Sequence, residues 1–487
     1  MANDGSPISE LPDTANHMGG TSPHIHLVGI GGWGMSAIAR LFLAKGFAVS
    51  GSDVKESANV EALRGLGAQI SLRHCAANID GAIAVVISSA IGDGNPEVRE
   101  ARRRGVAVLG RGAALNMLMD GKTGVVIAGT AGKSSTSAML AKVMRHCGVD
   151  ASYAIGAKIH DSGTNAVLGA GAIFIAEADE SDNSFLLLSP DVALITNVES
   201  DHLDFHGTTE KYRQAFERFV DRVSQGGLLV VSADDPGARK IGKYARGRLR
   251  VKTFGEAEDS DLRITDIRID RKGAVYRVLT DSIPDLEVRI KQPGRHMIRN
   301  SAGAMLAALE LGLPAESVVE ALEEYKGIGR RFEMIGCERA VCVYDDFAHS
   351  PTKIREQLDA AKILANGAKL WSIFEAPRVK GEGSLVVDFT SALDQADEVL
   401  LLDESAALDA IPGGAGANKP LWLTDFIVRE FKSSGRDVRV CPGRADVVAA
   451  VCREAQAGDV VVTMGLRDLS GLGAEIIRGL RKPSASG

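Results

Sequence analysis

The 487-residue sequence is poor in the residue types that mark several protein classes. Aromatic residues make up only 5%, and the 6 cysteines lie far apart without a C-x-x-C pair. That spacing argues against a zinc site or a disulfide framework, so Cys75, Cys147, Cys337, Cys342, Cys441 and Cys452 read as reduced core thiols. No apolar run approaches the roughly 18 residues that a membrane helix needs. The first residues are polar and acidic rather than basic then apolar, which makes the cytoplasm the expected location and excludes a membrane partner. Lys and Arg total 56 against 63 Asp and Glu, a net charge of −7, and no basic cluster is interleaved with aromatics. Nucleic acid is therefore not an expected partner.

What the chain has in quantity is glycine, 54 residues, within a 45% hydrophobic and 24% charged composition. This suits Ala/Gly-rich helices packed on parallel strands. The length exceeds one core of ordinary size, so two or three domains are expected. Residues 1–22 lack periodicity and read as a flexible tail. From His24, strand, glycine turn and helix follow in HIHLVGI, GGWGMS and AIARLFLAKG, with further strands at FAVSGSD, AVVISSA and VAVLG. The composition breaks near Asp120, and a second strand-turn-helix begins in VVIAGTAGKSSTSAMLAKVMRHCG. Residues 254–291 alternate apolar and polar side chains, which predicts a small β-rich insertion. A third α/β block opens near Gly327 with AVCVYDDFAHSP, KLWSIFEAP, EVLLLD and DVVVTMG. The expected fold class is α/β in three domains, at 23–119, 120–326 and 327–487, each with a mostly parallel sheet.

Two glycine turns carry chemistry. Gly29, Gly31, Gly32 and Gly34 follow a strand and open a helix, where backbone N–H groups can approach an anion, and Asp53 closes the next strand where a ribose hydroxyl is usually held. The alternative is a tight βα turn with no ligand. Gly129, Thr130, Ala131, Gly132, Lys133 and Ser134 have the shape of a phosphate loop. Its amides and helix dipole would cradle phosphates, Lys133 would neutralise β/γ oxygens and the Ser134 hydroxyl could ligate Mg²⁺. Glu177, Asp179, Glu180 and Asp182 then crowd one strand end, where four acids repel one another unless a cation or partner neutralises them. The next strand ends in Thr196, Asn197, Val198, Glu199, Ser200, Asp201 and His202. By chemistry alone, His202 is as suited to a phosphate or a water as to Mg²⁺.

GIGGWGMS, GTAGKSST, AEADESDNSF, TNVESDHLD, PGRH…N, GIGRRFE and DDFAHSPT occur in the order found in the Mur ligases, the ATP-dependent amide ligases of peptidoglycan precursor synthesis, and the chain resembles that family from about His24 to about Leu469. The resemblance implies a Rossmann-like N-terminal domain for a UDP-sugar, a central P-loop-type ATPase domain, and a Rossmann-like C-terminal domain that completes the ATP site and receives an amino acid. The motifs look nearest to members that join L-alanine to UDP-N-acetylmuramate, with ATP and Mg²⁺ as cofactors, in a monomer or homodimer. By the same resemblance Gly129, Thr130, Gly132, Lys133, Ser134, Ser135, Asn300, Arg331 and Asp346 would contact ATP. Ser134, Glu177 and His202 would serve magnesium, while Lys133, His202, His349 and Arg378 would take part in catalysis. Gly29, Gly31, Gly32, Gly34, Asp53 and Ser89 would line the UDP pocket, with Lys380 at the acceptor.

The sequence also departs from the family pattern. Ala131 replaces a usual histidine, Ser134 and Ser135 replace threonines, and Met297 an asparagine. A Tyr-Gly-His-His run is Phe347-Ala348-His349-Ser350, and Ala376 to Glu382 keep one arginine of a usual P-H-R-Y-S-R-T segment. These last changes fall where the acceptor carboxylate would bind, so ATP use is better supported than L-alanine. A paralogue with another acceptor, a peptide-recycling ligase and a non-catalytic nucleotide-binding homologue are the competing expectations. A dehydrogenase built on the first turn would leave the second phosphate loop unexplained.

Overall fold

The computed structural model describes residues 22–201, 203–376, 384–403, 423–465 and 469–481. Nearly all of the expected tail, and the candidate residues His202, Arg378 and Lys380, lie outside them. The chain divides into two compact units, one of residues 1–266, 276–289 and 299–326, the other of residues 267–275, 290–298 and 327–487.

In the first unit, β1 (His24–Val28), β2 (Ala48–Ser52), β3 (Gln69–Ser71), β4 (Ala84–Ile87) and β5 (Ala107–Gly110) form a parallel sheet in the order β3-β2-β1-β4-β5. The order reverses between β1 and β4, and ligands of open α/β sheets bind outside the strand ends at such a point. Glu97 lies fully buried beside this sheet, in the first turn of the helix Pro96–Arg104. Its carboxylate accepts from Ser52 Oγ at 2.7 Å, Asn78 Nδ2 at 2.5 Å and the Cys75 amide at 3.4 Å. His74 Nδ1 lies 3.0 Å and His26 Nε2 3.6 Å from it. Burial alone would push the Glu97 pKa up, but these donors and the His26 ring hold it down at about 2.

A second sheet runs β6 (Thr123–Ala128), β7 (Ser152–Ala154), β8 (Ala166–Val167), β9 (Ile173–Glu177), β10 (Val192–Ile195), β11 (Leu228–Ser232), β12 (Arg250–Gly255), β13 (Leu262–Asp270), β14 (Gly273–Thr280) and β15 (Ile283–Ile290). Its order is β15-β14-β13-β12-β11-β10-β6-β9-β7-β8, so the expected β-rich insertion is present and continues the edge of this sheet. The strands around β6 read as unbroken apolar runs because helices cover both faces. One hydrophobic core of the first unit includes Leu118 and Met119 from the helix Arg111–Met119, Ala154 and Ala166 from the second sheet, and Phe185, and joins the first sheet to the strands around β6. Asn165 adds a polar tie, donating to the Trp33 carbonyl at 2.9 Å.

The second unit contains β16 (Glu333–Glu338), β17 (Val341–Asp346), β18 (Leu370–Glu375), β19 (Glu398–Leu402), β20 (Arg439–Cys441) and β21 (Val460–Gly465), in the order β16-β17-β21-β18-β19-β20. All neighbours are parallel except the β16–β17 hairpin. There the expectation of six reduced thiols is corrected, because Cys337 and Cys342 are disulfide-bonded. Arg339 and Ala340, both at positive φ, turn the chain within two residues and set Cys337 directly opposite Cys342. Cys75, Cys147, Cys441 and Cys452 are free thiols.

Candidate active site

The first glycine turn sits at the reversal point of the first sheet. Gly29, Gly31 and Gly32 lead into the helix Trp33–Ala44, whose second residue is Gly34, and Ser89 is exposed just beyond the end of β4. Asp53 Oδ2 accepts the Gly31 N–H at 2.8 Å, while Oδ1 accepts the Val54 N–H at 2.8 Å. This carboxylate shapes the turn itself.

The second turn is better enclosed. β6 lies between β9 and β10, so the loop after β6, the acidic run after β9 and the Thr196–Asp201 segment after β10 converge at three adjacent strand ends. Lys133 opens the helix Lys133–His146, and Gly132 precedes it at φ +83°. A Cβ on Gly132 would stand 2.3 Å from Asn300 Oδ1, which brings Asn300 against the loop and explains why only glycine fits. Gly129 is equally constrained by the Thr196 hydroxyl, 2.0 Å from where its Cβ would be. Thr130 Oγ1 lies 2.8 Å from Tyr212 Oη and accepts the Glu199 N–H, and the Ala131 N–H donates to Asn197 Oδ1 at 2.8 Å. Ser134 and Ser135 are buried at the helix start.

The acidic run is resolved pair by pair. Ser134 Oγ donates to Glu177 Oε1 at 2.8 Å, and the other Glu177 oxygen accepts the Gly156 N–H at 2.6 Å. Arg111 binds Asp179 Oδ2 at 2.7 Å and lies 3.6 Å from Asp182. Lys133 Nζ reaches both Glu180 oxygens, at 2.9 and 2.8 Å, and the Gly129 carbonyl at 2.6 Å. The repulsion expected among four acids is thus offset by the two cations together with donors such as Ser134 Oγ–H and the Gly156, Ser181 and Ser184 N–H groups. Burial would lower the pKa of the Lys133 ammonium, but the Glu180, Asp179 and Glu177 carboxylates more than offset it and raise it. Arg111 carries no motif in the sequence, Glu180 is quoted there without a role, and Asn197 and Tyr212 matter only through contacts distant in the chain.

In the second unit, Asp346 ends β17 and is almost wholly buried. Its oxygens accept the Phe332 N–H at 2.7 Å and the Ala348 N–H at 2.6 Å. Burial pushes its pKa up to about 6 against the pull of Arg331 and these two amides. The Arg331 guanidinium lies 5.0 Å over the Phe347 ring, and the His349 ring nitrogen Nδ1 donates to the Phe347 carbonyl at 2.8 Å. Arg331, Asp346 and His349 therefore gather around Phe347. Among the described residues no group of three or more His, Cys, Asp or Glu side chains is arranged to hold a metal. Among them, too, no helix is long and apolar enough to cross a membrane.

Three family models divide the chain between them. Residues 24–123 match the Mur ligase family catalytic domain, 127–308 the Mur ligase middle domain and 330–467 the Mur ligase glutamate ligase domain. The chain is 41% identical over 485 residues to a UDP-N-acetylmuramate–L-alanine ligase of Mycobacterium marinum, covering 96% of this chain and 97% of that protein. The crystal structure of a UDP-N-acetylmuramate–alanine ligase from Thermotoga maritima aligns with a TM-score of 0.77 at 28% identity, over 93% of this chain and 98% of that one. A murein peptide ligase from Psychrobacter arcticus shares the fold, with a TM-score of 0.71 at 24% identity over 95% and 100% of the two chains. With its three successive α/β sheets, its enclosed Gly129–Ser134 loop and its similarity over nearly the whole length, the chain belongs to the Mur ligase family.

Proposed function

We propose that this protein is an ATP-dependent amide ligase that joins an amino acid, L-alanine first among candidates, to the carboxylate of UDP-N-acetylmuramate. The observation that carries the reading is the Gly129–Ser134 loop, where Ser134 meets Glu177 and Lys133 meets Glu180 at the adjacent ends of β6 and β9. In this reading residues 23–119 hold the sugar nucleotide on the Gly29–Gly34 turn with Asp53 and Ser89. Residues 120–326 hold ATP, which Arg331 and Asp346 contact as well, and His349, Arg378 and Lys380 serve the acceptor. ATP phosphorylates the sugar carboxylate, the amino group attacks the resulting acylphosphate, and phosphate leaves. Two anions must meet for the first step, so positioning and charge neutralisation by Lys133 supply much of the rate.

Ser134 Oγ and the Glu177 carboxylate are hard oxygen donors 2.8 Å apart, a set that suits Mg²⁺, with His202 as a further partner. The ion would neutralise phosphate charge when bound. A supply of ATP and nucleotide sugar makes the cytoplasm the proposed location. The test is phosphate release from ATP with Mg²⁺, UDP-N-acetylmuramate and a panel of amino acids and short peptides. Release that requires both the sugar nucleotide and L-alanine is expected. Release only with a peptide would replace the acceptor, and no release with any acceptor would overturn the ligase reading.

A further inference from the structure

The Lys133 ammonium has partners within its own domain. It is held by both oxygens of Glu180 and by the carbonyl of Gly129, the first residue of its own loop. Glu180 itself is 1% exposed, and its place is fixed from behind, because the His206 Nε2–H donates to the Glu180 carbonyl at 2.9 Å. His206 is buried too, edge-on to the Tyr212 ring, and Tyr212 in turn contacts Thr130 of the phosphate loop. The other acids of the run have partners of their own, Glu177 with Ser134 and Gly156, and Asp179 and Asp182 with Arg111. Among the described residues the Glu180 carboxylate is thus bound to the lysine alone, in a site built to keep it there.

We propose that Glu180 is a positioning residue that holds Lys133 in a resting place on the phosphate loop and competes with ATP for its ammonium. The proposal rests on the ATP-ligase reading of the site. A carboxylate at 2.8 Å neutralises the charge that a polyphosphate would otherwise meet. Arrival of the β- and γ-phosphates draws the lysine forward over a short distance, from a fixed start rather than from many rotamers. Glu180 therefore weakens ground-state binding of ATP while setting the aim of the lysine in the reacting complex.

This makes an unusual pair of signs. In Glu180→Gln the competing charge is gone but the length is kept, so the KM for ATP should fall about three- to tenfold. The turnover number should fall as well, by about tenfold, as the lysine loses its fixed approach. A carboxylate that served only the fold would raise KM and lower kcat together. Glu180→Asp keeps the charge but draws it back by one methylene, and should shift both constants in the same directions by smaller factors. The experiment measures steady-state constants for parent and both variants, with calorimetric binding of a non-hydrolysable ATP analogue as a second readout and thermal melting as a control for folding. A parent that neither binds the analogue nor releases phosphate would overturn the ligase reading itself. A parent that does both, with Glu180→Gln binding the analogue no more tightly, would overturn the role of Glu180. If Glu180→Gln does not fold, analogue binding by Glu180→Asp decides in the same way.

Discussion

Glu97→Gln should loosen the first sheet in a way that depends on pH with a defined sign. The carboxylate is fully buried and takes donors from Ser52, Asn78 and Cys75, and its pKa falls from 4.5 to about 2. A group depressed in the folded state adds stability that is complete above its unfolded pKa and is lost as pH falls through its folded one. The contribution is about 3 kcal/mol at pH 7, and more than half of it is gone by about pH 3. Glutamine keeps the shape but cannot ionise, and its amide nitrogen would face a donor. Hydrogen exchange of the β1 and β2 amides, corrected for intrinsic rates, reads the opening free energy of this sheet without assuming that the whole chain unfolds at once. The parent should exceed the variant by about 3 kcal/mol at pH 7, with the gap narrowing from pH 5 towards pH 2. Equal values at pH 7, or a gap that widens in acid, would refute the assignment of Glu97 as a stabilising buried anion.

Three further outcomes test the site. Gly132→Ala places a methyl 2.3 Å from Asn300 Oδ1 at a positive φ, and calorimetry should show ATP binding weakened by at least about tenfold; binding within twofold of the parent would count against this loop. Glu177→Gln should raise the half-saturating Mg²⁺ concentration by about tenfold while the dissociation constant of UDP-N-acetylmuramate stays put, and the reverse pattern would move Glu177 to the other ligand. Arg378→Lys exchanges a two-pronged carboxylate clamp for a point charge, so the KM for L-alanine should rise about tenfold with those for ATP and the sugar nucleotide unchanged. An equal loss for all three substrates would place Arg378 outside the acceptor pocket.

The parts of the molecule that were legible in the sequence are those governed by neighbours in the chain. A run such as VVIAGTAGKSST announces strand, turn and helix because glycine, lysine and serine take up those positions for local reasons, and the structure has β6 and the helix Lys133–His146 there. The β-rich stretch was likewise visible from its alternation, and β13 to β15 follow it. What the chain order hides is who neutralises whom. Lys133 and Glu180 are 47 positions apart and Arg111 and Asp179 are 68, and their pairing follows from which strands lie side by side. The Cys337–Cys342 bond escaped for the opposite reason, since its partners are so close in sequence that only a two-residue turn lets them face each other.

The hydrophobic core shared by the first two sheets has a consequence for how the chain comes into being. Leu118, Met119 and Phe185 complete one apolar interior that neither sheet closes alone. A ribosome that has released only the glycine turn and its five strands has therefore made a surface that stays sticky until β6 to β10 emerge. The stretch that follows must arrive before the first can settle, so the interval between them is when the nascent chain most needs shielding from its neighbours. Once joined, the two sheets are tied by the same packed side chains, from Ile25 and Leu27 of the first to Ala128 and Ala176 of the second.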